Sequence, residues 1–379
     1  MEELKICKVK DLAIMKNGKK RPNTVGHYPV YGGNGIMDYC NTYNNENTII
    51  IGRVGAYCGN VFYCKGKCWV SDNAIALCAN SDNNIKYLYY LLASLDLHHN
   101  HIGGAQPLMT QDIIGNFDVC VPKLETQIQI ANILTSFDDK IELNNRINHN
   151  LEEQAQALYK SYFIDFEPFK GGKFVDSELG LIPEGWDAKP LSSICHIEKK
   201  TINPQKHSTC LFTHYSIPAY DNSELPELQK GSDILSNKYI ISDYTILFSK
   251  LNPRIKRIWN VYQSEPNPIC STEFVVYKPM DIDTYPFLYS FITGDVFYNN
   301  IMSKVNGATG SHQRFHPEDT LDILVPYHID CYRLYSQLVL PIIQQIDENK
   351  RENHYFASLR DSLLPKLMSG ELKINDFTC

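Results

Sequence analysis

Residues 144–149, Asn-Asn-Arg-Ile-Asn-His, decide the fold because they return as residues 349–354, Asn-Lys-Arg-Glu-Asn-His. The offset between these two stretches is 205 residues, from 144 to 349, and Ile141 and Ile346 keep the same offset. A Val-Pro pair precedes each copy, at 121–122 and at 325–326. A period near 200 is too long for a solenoid repeat. The sequence therefore predicts two copies of one unit, each made of a domain followed by a helix.

Each copy contains a long helical pattern, over about 125–163 in the first and about 331–368 in the second. Apolar residues recur every three or four positions, which is the pattern of a coiled-coil seam. At ~1.5 Å per residue the first helix is roughly 55–60 Å long. Pro341 predicts that the second helix begins or bends there. The predicted seam positions are Phe137, Ile141, Asn144, Ile147, Leu151, Ile342, Ile346, Asn349, Phe356 and Leu363.

The seam asparagines, Asn144 and Asn349, have two interpretations. Buried in the seam, they would fix the register of the helices at some cost in stability. On the outer face, they would be ordinary exposed polar residues, and the sequence leaves both possibilities open.

The predicted fold class is α+β, with two mixed α/β domains separated by two long antiparallel coiled-coil helices in a pseudo-two-fold internal repeat. Residues 51–63 and 248–262 each indicate a strand, a turn with basic residues and a second strand. A pseudo-two-fold axis would make the two helices antiparallel and would place the domains at opposite ends of the helix pair. The predicted segments are 1–122 (first domain), 123–165 (central helix), 166–183 (linker), 184–326 (second domain) and 327–379 (C-terminal helix).

The composition is that of a folded protein without a membrane span. Of the 379 residues, 43% are hydrophobic and 21% are charged, and no run of about 18 apolar residues occurs. The polar N-terminus predicts no signal peptide, so the cysteines are expected to be reduced. Cys58, Cys64, Cys68 and Cys78 form the only cysteine cluster; it contains no C-x-x-C pair, which favours a strand region that uses cysteine over a structural zinc site.

The net charge of −7 argues at first against a nucleic-acid partner, but the charge is uneven. Lys and Arg number 11 against 10 Asp and Glu in residues 1–122 (+1), 6 against 10 in 123–183 (−4), 13 against 16 in 184–326 (−3) and 6 against 7 in 327–379 (−1). Basic side chains also cluster locally, and phosphate attraction is screened within about 8–10 Å. These clusters, which indicate either DNA contacts or solvated faces, are Lys16, Lys19, Lys20 and Arg21, and Lys250, Arg254, Lys256 and Arg257.

The catalytic motifs that we sought do not occur in the chain. It has no G-x-x-x-x-G-K-[ST] phosphate loop, no [DN]-P-P-[YF] tetrapeptide of amino-methyltransferases, no H-E-x-x-H and no G-x-S-x-G. The sequence therefore predicts a protein that is not an enzyme, with no catalytic residues and no metal site.

Taken together, these features resemble the specificity (S) subunit of type I restriction–modification systems, the HsdS family, over essentially the full length. The most specific segment is 176–186, Asp-Ser-Glu-Leu-Gly-Leu-Ile-Pro-Glu-Gly-Trp. Residues 151–169 and 359–372, which close the two helices, and the turns at 28–35, 50–55 and 104–107 carry the rest of the resemblance. Residues 249–254, Ser-Lys-Leu-Asn-Pro-Arg, depart from the Gly-Arg-x-Gly turn of the first domain.

The resemblance implies that each domain is a target recognition domain that reads one half of a bipartite double-stranded DNA site. The helices would set the spacer between the half-sites and dock two modification (methyltransferase) subunits, which restriction (motor-nuclease) subunits join. No cofactor is expected in this chain, whereas S-adenosylmethionine, ATP and Mg²⁺ are expected in the partner subunits. The implied location is the cytoplasm of a bacterium or an archaeon, with no membrane partner.

Base recognition needs fork-shaped or amide donors, since Arg pairs with guanine and Asn or Gln with adenine. Each chosen residue could instead stabilise a turn or simply be exposed. Two other functions stay open: a methyltransferase with fused recognition domains, and a coiled-coil scaffold that binds no DNA. The candidate DNA-binding residues are Lys19, Lys20, Arg21, Asn34, Arg53, Gln106, Asn252, Arg254, Lys256, Arg257, His312, Gln313 and Arg314.

Overall fold

The computed structural model describes residues 4–103, 107–304 and 314–372. The chain forms two compact units: unit 1 contains Met1–Glu142 and Tyr355–Cys379, and unit 2 contains Leu143–His354. The boundary between the units therefore falls inside both long helices. None of the helices in the described ranges has the length and apolar character that crossing a membrane requires.

Unit 1 is built on a six-stranded sheet with the order β2-β7-β5-β6-β3-β4, and a two-stranded sheet pairs β1 with β8. Its core lies between the central strands and α2, where Ile49, Ile51 and Leu77 are fully buried. Its helices are α1 (Val9–Leu12), α2 (Ile85–Ser94), α3 (Gln111–Gly115), the first part of α4 (Leu124–Phe163) and the last part of α8 (Ile329–Met368), from Tyr355 onward. Its strands are β1 (Lys5–Lys8), β2 (Ala13–Asn17), β3 (Tyr28–Gly32), β4 (Gly35–Cys40), β5 (Asn45–Gly52), β6 (Val61–Val70), β7 (Ala74–Ala79) and β8 (Asp118–Val121).

The start of α4 is anchored to unit 1 by the buried side chain of Gln127. The Gln127 amide donates to the Pro122 carbonyl (2.9 Å) and to Asn83 Oδ1 (3.0 Å), and its oxygen accepts from the Asn84 N–H (2.9 Å). Asn84 in turn caps α2, because its side chain accepts from the Tyr87 N–H. One buried amide thus ties the beginning of α4 to the beginning of α2.

Unit 2 has a four-stranded sheet, β12-β20-β17-β18, a five-stranded sheet, β13-β16-β19-β14-β15, and two-stranded sheets β9–β10 and β11–β21. Its helices are the second part of α4 (from Leu143), α5 (Ile217–Ser223), α6 (Tyr285–Thr293), α7 (Asp295–Ser303) and the first part of α8 (Ile329–Met368), as far as His354. Its strands are β9 (Phe174–Ser177), β10 (Gly180–Pro183), β11 (Asp187–Pro190), β12 (Cys195–Ile197), β13 (Thr201–Ile202), β14 (Leu211–Tyr215), β15 (Glu227–Lys230), β16 (Lys238–Ile240), β17 (Thr245–Ser249), β18 (Ile258–Val261), β19 (Pro268–Ser271), β20 (Phe274–Pro279) and β21 (Leu324–Tyr327).

The two units repeat one strand-pairing scheme. In unit 1, β5 pairs with β6 and β7, and β3 runs parallel to the end of β6. In unit 2, β17 pairs with β18 and β20, and β14 runs parallel to β19. The single long strand β6 of unit 1 thus corresponds to β18 and β19 of unit 2. The segment between β18 and β19 contains Pro266, which has no N–H to donate to a sheet.

The helix predicted over about 125–163 is confirmed by α4, and α8 begins at Ile329, so Pro341 lies inside α8 rather than at its start. The predicted seam positions Asn144, Ile346 and Asn349 are buried, but at two other places the buried residue lies one position after the predicted one. Ile147 is 39% exposed whereas Asn148 is buried, and Ile343 is fully buried beside the half-buried Ile342. Ile343 is buried because it packs into the core of unit 2. A pattern based on two helices alone does not anticipate this contact.

In unit 2 the two helices run antiparallel and are joined by a layer of asparagines. Asn349 Nδ2 donates to Asn148 Oδ1 (2.7 Å), and Asn144 Nδ2 donates to Asn353 Oδ1 (2.9 Å) and to Glu352 Oε2 (2.7 Å). Asn144, Asn148 and Asn349 are all buried. Of the two interpretations of the seam asparagines, the structure supports burial.

Of the other predicted seam positions, some lie in unit 1 and the rest lie in unit 2. In unit 1 the rings of Phe137 and Phe356 lie 6.1 Å apart, and Leu363 packs against the buried core. In unit 2, Ile346 is buried, whereas Ile342 and Leu151 are half-buried. Ile141, in unit 1, is also half-buried.

The segment 176–186 closes the end of α4 in unit 2. It contains β10, which pairs with β9 in an antiparallel hairpin, and it ends at Trp186, which is buried. The Trp186 ring lies 5.4 Å from that of Phe166 and 5.1 Å from that of Phe169, edge to face in both cases. These aromatic contacts fix where the chain leaves the helix.

Candidate nucleic-acid interface

In unit 1 several predicted DNA-binding residues converge on the turn 71–73 between β6 and β7. The Lys19 N–H donates to the Val70 carbonyl (3.0 Å), the Arg53 N–H to the Asn73 carbonyl (2.9 Å) and the Ser71 N–H to the Tyr31 carbonyl (2.9 Å). Backbone hydrogen bonds therefore bring the loops with Lys19 and Arg53 to one end of the six-stranded sheet. The β3–β4 turn, which carries Asn34, lies beside the turn 71–73, since a Cβ at Gly33 would be 3.6 Å from the Asn73 carbonyl oxygen.

Two glycines make this convergence possible. A side chain at Gly52 would place its Cβ 2.1 Å from the Tyr57 carbonyl oxygen, and one at Gly18 would place its Cβ 1.9 Å from the Ser71 carbonyl oxygen. Both positions therefore require glycine for close backbone approach. In the Gly-Arg-x-Gly turn, close packing explains Gly52 and a positive φ of 73° explains Gly55, and the turn holds Arg53 at the end of strand β5.

Gln106 lies outside the described residues, as do His312 and Gln313 of unit 2. The neighbouring Pro107 is described, and its carbonyl accepts from the Gly55 N–H (3.0 Å). This hydrogen bond brings the chain next to Gln106 close to the Arg53 turn.

Among the predicted DNA-binding residues of unit 1, most side chains have no hydrogen-bond or ion-pair partner in the described part of the chain, and one is paired. Lys19, Lys20 and Asn34 are exposed and Arg53 is half-buried, and none of these four side chains has a hydrogen-bond or ion-pair partner among the described residues. Arg21 instead pairs with Asp38 (2.9 Å). The free cationic and amide groups are the ones available to a ligand.

In unit 2 the loop between β17 and β18 is closed by a hydrogen bond from the Ser249 N–H to the Arg257 carbonyl (3.0 Å). Asn252 has a positive φ of 49°, so it serves the turn conformation that asparagine tolerates. Arg254 is exposed at the tip of this loop, and its guanidinium has no partner in the described part of the chain. Arg254 is therefore the freest of the cations chosen in this loop.

The other predicted cations of unit 2 already have partners. Arg257 is only 8% exposed and binds Asp221 with two hydrogen bonds, of 2.6 and 2.9 Å. Lys256 pairs with Asp295 (3.0 Å), and Arg314 pairs with Glu273 (3.1 Å). Arg257 therefore fits the alternative of a structural, turn-stabilising role, because its side chain is buried and two of its nitrogens donate to Asp221.

Lys250 belongs to a basic cluster of the sequence but was not among the predicted DNA-binding residues. The sheet registers pair Gly52 with Ala74 and Ser249 with Phe274. Lys250 therefore follows β17 as Arg53 follows β5. An alignment of Gly52-Arg53 with Ser249-Lys250 would have indicated Lys250 from the sequence. That alignment becomes clear only when the ends of β5 and β17 are known.

Three of the four cysteines of the cluster lie on strands, and Cys58 is buried in the turn before β6. Cys64 and Cys68 are buried on β6, Cys78 lies on β7, and all the described cysteines are free. A hydrogen bond with the Cys68 side chain lowers the pKa of Cys64 to about 6, whereas the same bond and burial raise the pKa of Cys68. Within residues 4–103, 107–304 and 314–372, no group of three or more His, Cys, Asp or Glu side chains is placed to hold a metal ion.

Comparison with known proteins gives this arrangement a class. The family model described as the type I restriction modification DNA specificity domain matches residues 1–153. The class is therefore that of proteins that confer DNA sequence specificity.

Two relatives that match over most of their length identify the family more narrowly. The chain is 48% identical over 332 residues to the HindI specificity subunit of Haemophilus influenzae, covering 71% of this chain and 72% of that one. It is 29% identical over 310 residues to the MjaIX specificity subunit of Methanocaldococcus jannaschii, covering 77% and 70%. The chain belongs to the specificity subunits of type I restriction–modification systems.

The fold also matches a solved structure. The crystal structure of a type I restriction–modification S subunit from M. genitalium superposes with a TM-score of 0.64 at 17% identity, covering 97% of this chain and 96% of that one. At this identity the likeness concerns the fold, whose mixture of helices and sheets agrees with the predicted α+β class.

Proposed function

We propose that this chain is a non-catalytic DNA-recognition subunit in which each unit is a target recognition domain that reads one half of a bipartite double-stranded DNA site. The observation that carries the proposal is the repeated strand end: Arg53 after β5 and Lys250 after β17 stand at the same place in one pairing scheme. Basic and amide side chains on loops at a sheet edge suit base edges and phosphates.

The two long helices are proposed to form an antiparallel pair related by a pseudo-two-fold axis, to set the spacer between the half-sites and to dock two modification subunits. The asparagine layer supports this, because Asn144 pairs with Asn353 while Asn148 pairs with Asn349. Each pair joins one asparagine from each copy of the repeated motif. A buried polar layer of this kind specifies helix register.

Catalysis is proposed to reside in partner subunits, since the chain contains none of the methyltransferase, phosphate-loop or hydrolase motifs sought. The modification subunits would supply S-adenosylmethionine, and restriction subunits would supply ATP and Mg²⁺ chemistry. The net charge of −7 also favours a complex in which partners add positive surface to hold DNA. The proposed setting is the cytoplasm of a bacterium or an archaeon.

Methylome sequencing tests this function. The chain is co-expressed with its modification subunit in a host without other adenine methylation, and the modification subunit alone is the control. We expect methylated adenines in a split motif with a fixed spacer, present only when both chains are expressed. A contiguous motif, or the same motif without this chain, would contradict the proposal.

A gel-shift measurement separates recognition from scaffolding. The complex of this chain and its modification subunit should bind a duplex with the split motif more tightly than a scrambled duplex, and salt should weaken that binding. Equal binding to both duplexes would favour a scaffold that takes no part in sequence recognition.

A further inference from the structure

The loop after β17 in unit 2 contains a cation that matches Arg53 of unit 1 in backbone position. The Arg53 N–H donates to the carbonyl of Asn73, in the turn before β7, at 2.9 Å. The Lys250 N–H donates to the carbonyl of Glu273, in the turn before β20, at 2.8 Å. An equivalent backbone hydrogen bond therefore positions the residue that follows β5 in unit 1 and the residue that follows β17 in unit 2.

The surroundings of Lys250 leave its ammonium group without a counter-ion. Lys250 is half-buried, and its Nζ has no hydrogen bond or ion pair with any described residue. The nearby carboxylates are engaged elsewhere: Glu273 pairs with Arg314, and Glu318 pairs with Lys199. Burial and the two neighbouring cations lower the pKa of Lys250, while Glu273 and Glu318 act in the opposite direction.

A half-buried cation without a partner lowers stability, so its presence calls for a ligand that supplies the missing negative charge. We propose that Lys250 is a DNA-contacting residue of unit 2, the counterpart of Arg53, and that its ligand is an electron-rich oxygen or nitrogen acceptor on DNA. This inference rests on the proposed function. The acceptor chemistry is shared by the guanine O6/N7 edge and by a backbone phosphate.

The test replaces Lys250 by methionine, which keeps the length of the side chain and removes the charge. The matched control is Lys206→Met, which removes the same charge from an exposed lysine of unit 2 with no partner among the described residues. Each variant is assembled with the modification subunit, and its DNA affinity is measured at several salt concentrations, beside its methylome and its thermal midpoint.

Two results support the proposal and identify the acceptor. Relaxed preference at one position of one half-site, with discrimination reduced about five-fold or more, indicates a base contact. Affinity reduced alike for all sequences, with the slope of log K against log salt smaller by about 0.9, indicates a phosphate contact. In both cases Lys206→Met behaves as the unchanged protein does, Lys250→Arg retains most of the binding, and the thermal midpoint of Lys250→Met is unchanged or higher.

Other results overturn it. Unchanged affinity and motif in Lys250→Met, or an equal loss in Lys206→Met, would show that Lys250 makes no specific contact. A lower thermal midpoint with an unchanged motif would show a structural role. If the unsubstituted complex itself shows no preference between duplexes, the proposed function fails, which is distinct from a failure confined to Lys250.

Discussion

The contact between Asn148 and Asn349 allows a quantitative test of the asparagine layer. Asn349 Nδ2 donates to Asn148 Oδ1 at 2.7 Å, and the two residues are 7% and 5% exposed. Replacing Asn148 by leucine leaves a buried Asn349 donor without its acceptor. The Asn349 oxygen keeps its bond from Gln345 (2.9 Å), so the loss is confined to one donor, and we expect a destabilisation of ~1–3 kcal/mol.

The reverse single change, Asn349→Leu, should cost a similar amount because it strands the Asn148 acceptor. The double variant replaces both partners by apolar groups, which can be nearly neutral. The double variant should therefore lose much less than the sum of the two singles, giving a coupling of about 1–2 kcal/mol. A double variant that loses the full sum would refute the reasoning.

The assay is urea unfolding of the full chain, with the midpoint compared at equal slope. Asn150→Leu is the control, since Asn150 is exposed on the same helix and surface changes are usually within about 0.5 kcal/mol. In the methylome of the complex, the double variant, which lacks the Asn148–Asn349 pair, should accept more than one spacer length. A single unchanged spacer would show that the asparagine layer does not set register.

Three further outcomes follow from unit 2. Arg254→Ala should relax discrimination at one base of one half-site by ~1–3 kcal/mol if the contact is bidentate; an unchanged methylome would count against that contact. Arg257→Met should instead lower stability by ~1–3 kcal/mol and leave the motif unchanged, because it breaks both bonds to Asp221; a changed motif with full stability would contradict this. Burial raises the pKa of Glu152, although the nearby charge of Lys350 acts in the opposite direction. Above the raised pKa the ionised Glu152 carboxylate therefore lowers the stability of the folded protein. This destabilisation disappears below about pH 4.3, where the carboxyl is protonated in both the folded and the unfolded protein. Glu152→Gln should therefore raise the thermal midpoint at pH 7.5 and have little effect at pH 4; an effect of equal size at both pH values would refute the assignment.

Much of the architecture was predictable because it depends on local periodicity. The first helix was predicted from residue 125 and begins at Leu124, and both helices end where they were predicted to end. The repetition of Asn144 and Asn349 at the same offset marked them as equivalent positions, but only the structure showed that both are buried. Periodicity did not distinguish Ile147 from Asn148, because a helix that contacts both a partner helix and a domain buries more than one stripe.

The candidate site was predictable only in part. The Gly-Arg-x-Gly turn indicated Arg53, and in the structure a backbone hydrogen bond holds that residue at the end of strand β5. The sequence indicated Lys250 only as a member of a basic cluster, and its loop lacks the glycines of that turn. Its equivalence to Arg53 depends on strand registers and on a hydrogen bond to Glu273, and these link segments that are distant in the sequence.

By itself, the sequence determined that the chain contains two related units, two long helices and a resemblance to the type I specificity subunits, since repeats, periodicity and motifs are written in the order of residues. Only the tertiary structure decided which charged side chains are available to DNA. Arg257 and Arg254 lie in one basic cluster, yet Arg257 is buried against Asp221, 36 residues away, while Arg254 is exposed and unpaired among the described residues. Ion pairs depend on distance in space, and the chain must fold before a cation's partner, or the lack of one, is defined.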